Sequence, residues 1–205
     1  MPSLWPNATV SYSISDGLDG KERQVVIEAM QAVQEVSCIR FVSAASDQPR
    51  VHVQSADVGG GCWSSATGYS IHTQTLTLES GLCFDRAVIL HELMHVLGFL
   101  HEHNRPDRDD HVLIIWERIR EDKRYAFERR DWSDGYTPDR LAPYDHQSIM
   151  HYSEYAFTTG VSKENSMLQP TMISKRGLRL GAAKSLSRWD VYRLNMAYNC
   201  EKHPR

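Results

Sequence analysis

Val10-Ser11-Tyr12-Ser13-Ile14-Ser15 is apolar at every second position, the period of a half-buried strand. Over residues 19–36 the period changes. Val25, Val26, Ala29, Met30, Val33 and Val36 recur at helical spacing and predict a helix. Residues 39–43 and 50–54 read as strands, Gly59-Gly60-Gly61 as a turn, and the alternating Ile, Thr and Leu of residues 69–79 as further strand. Next comes a stretch too apolar to be a surface helix. Ala87, Val88, Ile89, Leu90, Leu93, Met94 and Leu97 predict a largely buried helix, with Asp85 placed to cap it. This order implies an α+β fold with a mixed, twisted sheet and two long helices behind it. After residue 101 the regularity falls. Residues 116–129 can form a charged helix, and residues 133–138 and 142–145 are loop-like. Ser187-Arg188-Trp189-Asp190 resembles a capping box with Asp in place of Glu, opening a last helix that carries Val191, Leu194 and Tyr198. No internal repeat or low-complexity segment is present.

Composition narrows the picture. The 205 residues suit one domain or two small lobes around a cleft, and 41% hydrophobic residues are enough for a real core. A net charge of −3 without a long basic run argues against nucleic acid as a partner. No apolar stretch approaches the roughly 18 residues that would predict a membrane span. Met1-Pro2-Ser3-Leu4-Trp5-Pro6 lacks the basic start and apolar core of a signal peptide. Cys38, Cys62, Cys83 and Cys200 allow three pairings, and they could also be buried thiols or metal ligands. The absence of a C-x-x-C pair weakens the metal reading. Asn7-Ala8-Thr9 is an N-glycosylation sequon.

The chemistry concentrates in His91-Glu92-Leu93-Met94-His95-Val96-Leu97-Gly98-Phe99-Leu100-His101. His91 and His95 are four apart, so on a helix they lie on one face and can offer two ring nitrogens to one metal ion. Glu92 lies about 100° around that helix. It is placed to act as a base on a metal-bound water rather than as a ligand. Gly98 tolerates the left-handed conformation that ends helices, which lets the chain turn and bring His101 back to the metal. Three protein ligands leave a position open for water, the mark of a catalytic zinc site. A surface helix that happens to carry histidines is the plainer alternative. The Gly and third His at fixed offsets make that coincidence far rarer than for a bare H-E-x-x-H.

Residues 91–110, H-E-L-M-H-V-L-G-F-L-H-E-H-N-R-P-D-R-D-D, resemble the astacin family of zinc endopeptidases, metzincins whose zinc motif continues H-E-H-x-R-x-D-R-D. Ser148-Ile149-Met150-His151-Tyr152 resembles the Met-turn of that family. Cys38-Ile39-Arg40-Phe41, Gly61-Cys62-Trp63-Ser64 and Tyr198-Asn199-Cys200 match further anchors in the same order. The resemblance spans nearly the whole chain and implies a single catalytic domain over residues 1–205. An N-terminal lobe of about residues 1–98 and an irregular C-terminal lobe of about residues 99–205 would flank an active-site cleft.

The resemblance also assigns roles. It implies one Zn2+ held by His91, His95 and His101, with Glu92 as general base. Tyr152 would leave the resting zinc to hydrogen-bond the oxyanion, and Met150 would form an apolar floor under the histidines. It implies disulfides Cys38–Cys200 and Cys62–Cys83, hence a secreted, extracellular protein, with an inhibitory pro-segment outside this chain. Glu102 would meet the N-terminal ammonium freed when that segment is cut. Arg105, Asp107, Arg108 and Asp109 would form a salt-bridge knot. Trp63, Ser64, Ser65, Ala66 and Thr67 match the upper-rim edge strand that binds extended polypeptide substrates. Where acid-selecting members carry Arg before the last helix, this chain has Ala183, with Lys184 beside it. The seven remaining histidines, His52, His72, His103, His111, His146, His151 and His203, are expected in packing or on the surface. A monomeric, secreted zinc endopeptidase is the leading expectation. A catalytically silent binding module of the same fold and a zinc hydrolase of non-peptide amides or esters are the alternatives.

Overall fold

The computed structural model describes residues 3–44, 48–131, 142–161 and 167–202. The loop expected at residues 133–138 and His203 lie outside the described residues. Strands β1 (Thr9–Ile14), β2 (Arg40–Ser43), β3 (Val51–Ala56), β4 (Cys62–Ser64) and β5 (Gln74–Glu79) form a five-stranded sheet in the order β2-β1-β3-β5-β4. The first four in that order are mutually parallel. β4 runs antiparallel to β5 and closes one edge, with Trp63 opposite Thr77.

Two helices pack on this sheet and on each other. Helix α1 (Gly20–Val36) begins with a capping box. Asp19 accepts the N–H groups of Lys21 and Glu22, and Glu22 accepts the N–H of Asp19. Its stripe of Val26, Ala29, Met30 and Val33 is buried. Helix α2 (Arg86–Val96) is capped by Asp85, which accepts the Ala87 N–H. Ile89, Leu90, Leu93 and Met94 are buried in one core with Val10, Val53, Leu76 and Leu78. The end of α2 explains the glycine. Gly98 has φ of 101°, its N–H bonds the His95 carbonyl, and the Phe99 N–H bonds the Met94 carbonyl. This Schellman closure satisfies two terminal carbonyls and turns the chain out of the helix axis. Side chains distant in sequence satisfy two more: Trp5 Nε1 donates to Val96 O and Tyr198 Oη donates to Leu97 O.

The C-terminal lobe holds a two-stranded antiparallel sheet of β6 (Val112–Ile114) and β7 (Met172–Ser174). It has a smaller core of Val112, Ile114, Ile119, Phe127, Tyr144, Met172 and Leu180. Helix α3 (Arg188–Ala197) starts at the Ser187–Asp190 capping box and sends Leu194 into the larger core. Cys38–Cys200 ties the turn after α1 to the chain end, and Cys62–Cys83 ties β4 to the segment before α2.

Two expectations about elements need correction. Residues 116–129 do not form one charged helix. They form short 3-10 segments, Trp116–Arg118 and Glu121–Phe127, broken where Ile119 bridges Thr158. The buried anchors here, Ile119 and Phe127, are eight positions apart with no buried apolar residue at helical spacing between them, so tertiary packing overrides helix propensity. In residues 69–79 only Gln74–Glu79 is strand, because the preceding residues bond elsewhere, the Tyr69 N–H reaching the Ser3 carbonyl.

Candidate metal centre and cleft

Helix α2 places His91 and His95 on one face, and the turn after Gly98 returns His101 to them. His101 Nε2 lies 3.2 Å from His91 Nε2 and 3.1 Å from His95 Nε2. The opposite ring nitrogens fix the tautomers. His91 Nδ1 donates to Ile149 O and His95 Nδ1 donates to Phe99 O, each at 2.8 Å. Their Nε2 atoms therefore carry bare lone pairs, and both converge on His101 Nε2. Such a cluster makes sense around a cation. Tetrahedral zinc with Zn–N distances of about 2.0–2.1 Å puts its nitrogen ligands about 3.3 Å apart, close to what is seen. Burial pushes the pKa values of all three histidines down, that of His95 to about 3, so they stand neutral and ready to ligate. Among the described residues this is the one group of three or more metal-binding side chains with converging ligand atoms.

Glu92 sits beside the histidines with 5% of its surface exposed. It accepts a backbone hydrogen bond from Ser64, while its Oε2 is buried without a partner. Burial raises its pKa to about 7. An orphaned carboxylate oxygen poised near neutrality suits a group that takes up and releases a proton.

Tyr152 packs against His101 at a ring-centroid distance of 4.4 Å and stacks on His103 at 4.0 Å. Burial pushes its phenol up to about 12, so it remains a neutral O–H donor. Met150 is buried in the larger core, and its carbonyl accepts the Glu102 N–H. The turn holding it is braced by Asp190 of α3, which accepts from Ser148 Oγ at 2.6 Å and from Ile149 N–H at 2.9 Å. Ile149 thus links Asp190 to His91 through the backbone of one residue.

The resemblance gave Glu102 an N-terminal ammonium as its partner. Met1 lies outside the described residues; among those described, the cationic partners of Glu102 are side chains. Arg193 of α3 grips both oxygens, at 2.6 and 2.9 Å, and Arg105 stands at 3.5 Å. The Asp145 N–H adds a further bond of 2.7 Å. Arg105 also makes a two-pronged bond to Asp107, and Arg108 pairs with Asp109 and donates to the His103 and Phe127 carbonyls. Of the histidines expected in packing or on the surface, His103, His146 and His151 are buried, His52 and His111 partly so, and His72 is exposed.

A cleft of about 780 Å³ opens over the histidines. Trp63, Ser64, Thr67, Ala183 and Lys184 line it. Ser65 and Ala66 do not. Ser65 is turned toward β5, exchanging bonds with Thr75, and the Ala66 carbonyl accepts the Ser64 hydroxyl. Asn7 is exposed in the 3-10 turn Pro6–Ala8 that precedes β1. Arg130, Phe157 and Gly181 also line the cleft, and sequence reasoning did not single them out. Gly181 has a reason that only the structure shows: a Cβ there would sit 2.4 Å from the Ser153 backbone. Arg130 lies in no motif that could have marked it.

The peptidase family described as Astacin matches residues 1–199. Zinc metalloproteinase nas-7 of Caenorhabditis elegans is 37% identical over 199 residues, covering 96% of this chain and 48% of that protein. Meprin A subunit beta of Mus musculus is 35% identical over 197 residues, covering 96% of this chain and 26% of that protein. The chain thus spans about half the length, or less, of these curated relatives. Among solved structures, High choriolytic enzyme 1, a hatching enzyme zinc-protease from Oryzias latipes, superposes with a TM-score of 0.84 at 33% identity. That match covers 96% of this chain and 93% of the other.

Proposed function

This chain belongs to the astacin family, and from that premise we propose that it is a zinc-dependent endopeptidase that cuts peptide bonds of extracellular proteins. The observation that carries the reading is the meeting of three neutral Nε2 atoms beside a carboxylate with a free buried oxygen. Bound at His91, His95 and His101, one zinc ion supplies Lewis acidity, which acidifies water and polarises a carbonyl. Glu92 removes the proton from the attacking water and later delivers it to the leaving amine. The Tyr152 phenol donates to the oxygen that becomes negative as the carbonyl carbon turns tetrahedral. Asp190 and Glu102 keep the Met-turn and the His101 segment in register without touching substrate.

Substrate enters extended. β4 is the last strand in the sheet, and its residues line the cleft, so a polypeptide can add to it through main-chain bonds. Such pairing tolerates many sequences and suits a peptide better than a small amide or ester. The two disulfides support an oxidising, extracellular setting.

Hydrolysis of a casein film by the zinc-loaded protein, with and without a chelator, tests the reading. Clearing that stops with chelator and returns with zinc is expected. A zinc-loaded, folded protein that clears neither casein nor gelatin would instead be a silent binding module.

A further inference from the structure

The segment between β7 and α3 has an unusual charge. Lys175, Arg176, Arg179, Lys184 and Arg188 are five of the chain's 23 Lys and Arg, and no Asp or Glu lies between residues 175 and 189. The cations are mostly spaced apart, which is why no basic run stands out in the sequence. The chain as a whole carries −3, so this segment opposes its surroundings.

All five side chains are exposed, and among the described residues none of the five forms an ion pair. Three carboxylates near the segment are engaged elsewhere. Asp107 is taken by Arg105, Asp109 by Arg108 and Arg129, and Glu154 accepts the Leu180 N–H. Lys175 bonds only a carbonyl, that of Asp109, and Arg188 lies over the Trp189 ring. Arg188 also occupies the first position of α3, where the helix dipole disfavours a cation. Ion pairing within the fold therefore does not account for these charges. Their placement ties them to the catalytic cleft. The strip starts at His111, beside Lys175 and Arg176, and runs to Gly181 and Lys184, which line the cleft. Leu178, exposed between Arg176 and Arg179, adds an apolar foothold.

We propose that residues 175–188 form an exosite that holds an acidic stretch of a polypeptide substrate outside the scissile positions. The occupant follows from charge and continuity. The strip opens into a cleft that receives polypeptide, and its cations have no carboxylate partners among the described residues. It rests on the endopeptidase reading and adds to it a second point of contact. Each exposed pair contributes little, but several act together by raising the local concentration of substrate over the zinc site.

The test uses three quenched fluorescent peptides with one shared cleavable core: unextended, extended at both ends by six Glu, and extended at both ends by six Gln. The wild type is compared with the triple variant R176Q/R179Q/R188Q, which leaves Lys184 and the cleft intact. At low salt the wild type should cleave the Glu-extended peptide with kcat/KM about three- to tenfold above the Gln-extended one, through KM. That advantage should vanish in the triple variant and in about 0.5 M NaCl, where screening is short-ranged. Both enzymes should cleave the unextended peptide equally, which shows that the variant is folded and separates this proposal from the endopeptidase reading itself. Equal rates on Glu- and Gln-extended peptides, or a preference that survives in the triple variant, would overturn the exosite. So would a variant that keeps the Glu preference but loses retention on immobilised heparin, since the strip would then serve a sulfated polysaccharide.

Discussion

Tyr152 is held by ring stacking, and among the described residues its hydroxyl makes no hydrogen bond. A neutral phenol free at its polar end is available to a charge that appears only during reaction. Tyr152→Phe should therefore lower kcat by about 10²–10³-fold, with KM changed little and zinc content unchanged. Steady-state kinetics with metal analysis checks this. An unchanged kcat would reduce Tyr152 to packing, and lost zinc would make it a ligand. At this scale the sequence was most legible where chemistry is contiguous. His91, Glu92, His95, Gly98 and His101 fall within one helix and its closing turn, so spacing alone carries their geometry. Arg193 and Arg130 were illegible for the opposite reason. Each meets the site only through tertiary structure, Arg193 from α3 onto Glu102 and Arg130 from a segment with no periodicity.

Gly98 is where one element sets the site. Its φ of 101° is costly for any residue with a Cβ, and the Schellman bonds around it aim the chain toward His101. Gly98→Ala should destabilise the fold by about 1–2 kcal/mol and weaken zinc binding more than it disturbs the sheet. Thermal unfolding and competitive zinc titration measure the two effects. Unaltered zinc affinity would show that His101 does not depend on this turn. Asp190 gives a parallel case in α3, where one carboxylate both caps the helix and holds Ile149 behind His91. The capping boxes of α1 and α3 and the period-2 strand β1 were readable because local pattern and final packing agree there. Residues 116–127 were not readable as 3-10 turns. Their charged, helix-compatible residues say nothing of Ile119 being drawn into the smaller core. The three-residue β4 is too short for a period to show.

Across the whole molecule, buried neutral histidines shape the response to acid. Burial lowers the pKa of His103 to about 3 and also lowers that of His151. The unfolded chain takes up protons below its ordinary histidine value of 6.5, while the native state cannot. The His103 contribution is therefore full above that pH and falls as pH drops toward about 3, by up to about 1.4 kcal/mol per pH unit, and His151 acts in the same direction. Urea titrations at about pH 7.5 and 5 should show the loss at the lower pH. Equal midpoints would mean that these rings protonate in place. The long-range disulfide belongs to this scale too, since Cys38 and Cys200 are 162 residues apart. Replacing both by Ser should cost about 2–5 kcal/mol and leave the zinc ligands in place; an unshifted unfolding midpoint would contradict that. The proposed function rests on a division of labour between a metal-binding histidine cluster and a separate carboxylate base, and Glu92→Gln probes it without disturbing either lobe. Metal content and turnover should be measured on one preparation. Zinc should be bound as in the wild type, with kcat lower by about 10²–10⁴-fold. Full zinc with near-wild-type turnover would show that Glu92 is not the base.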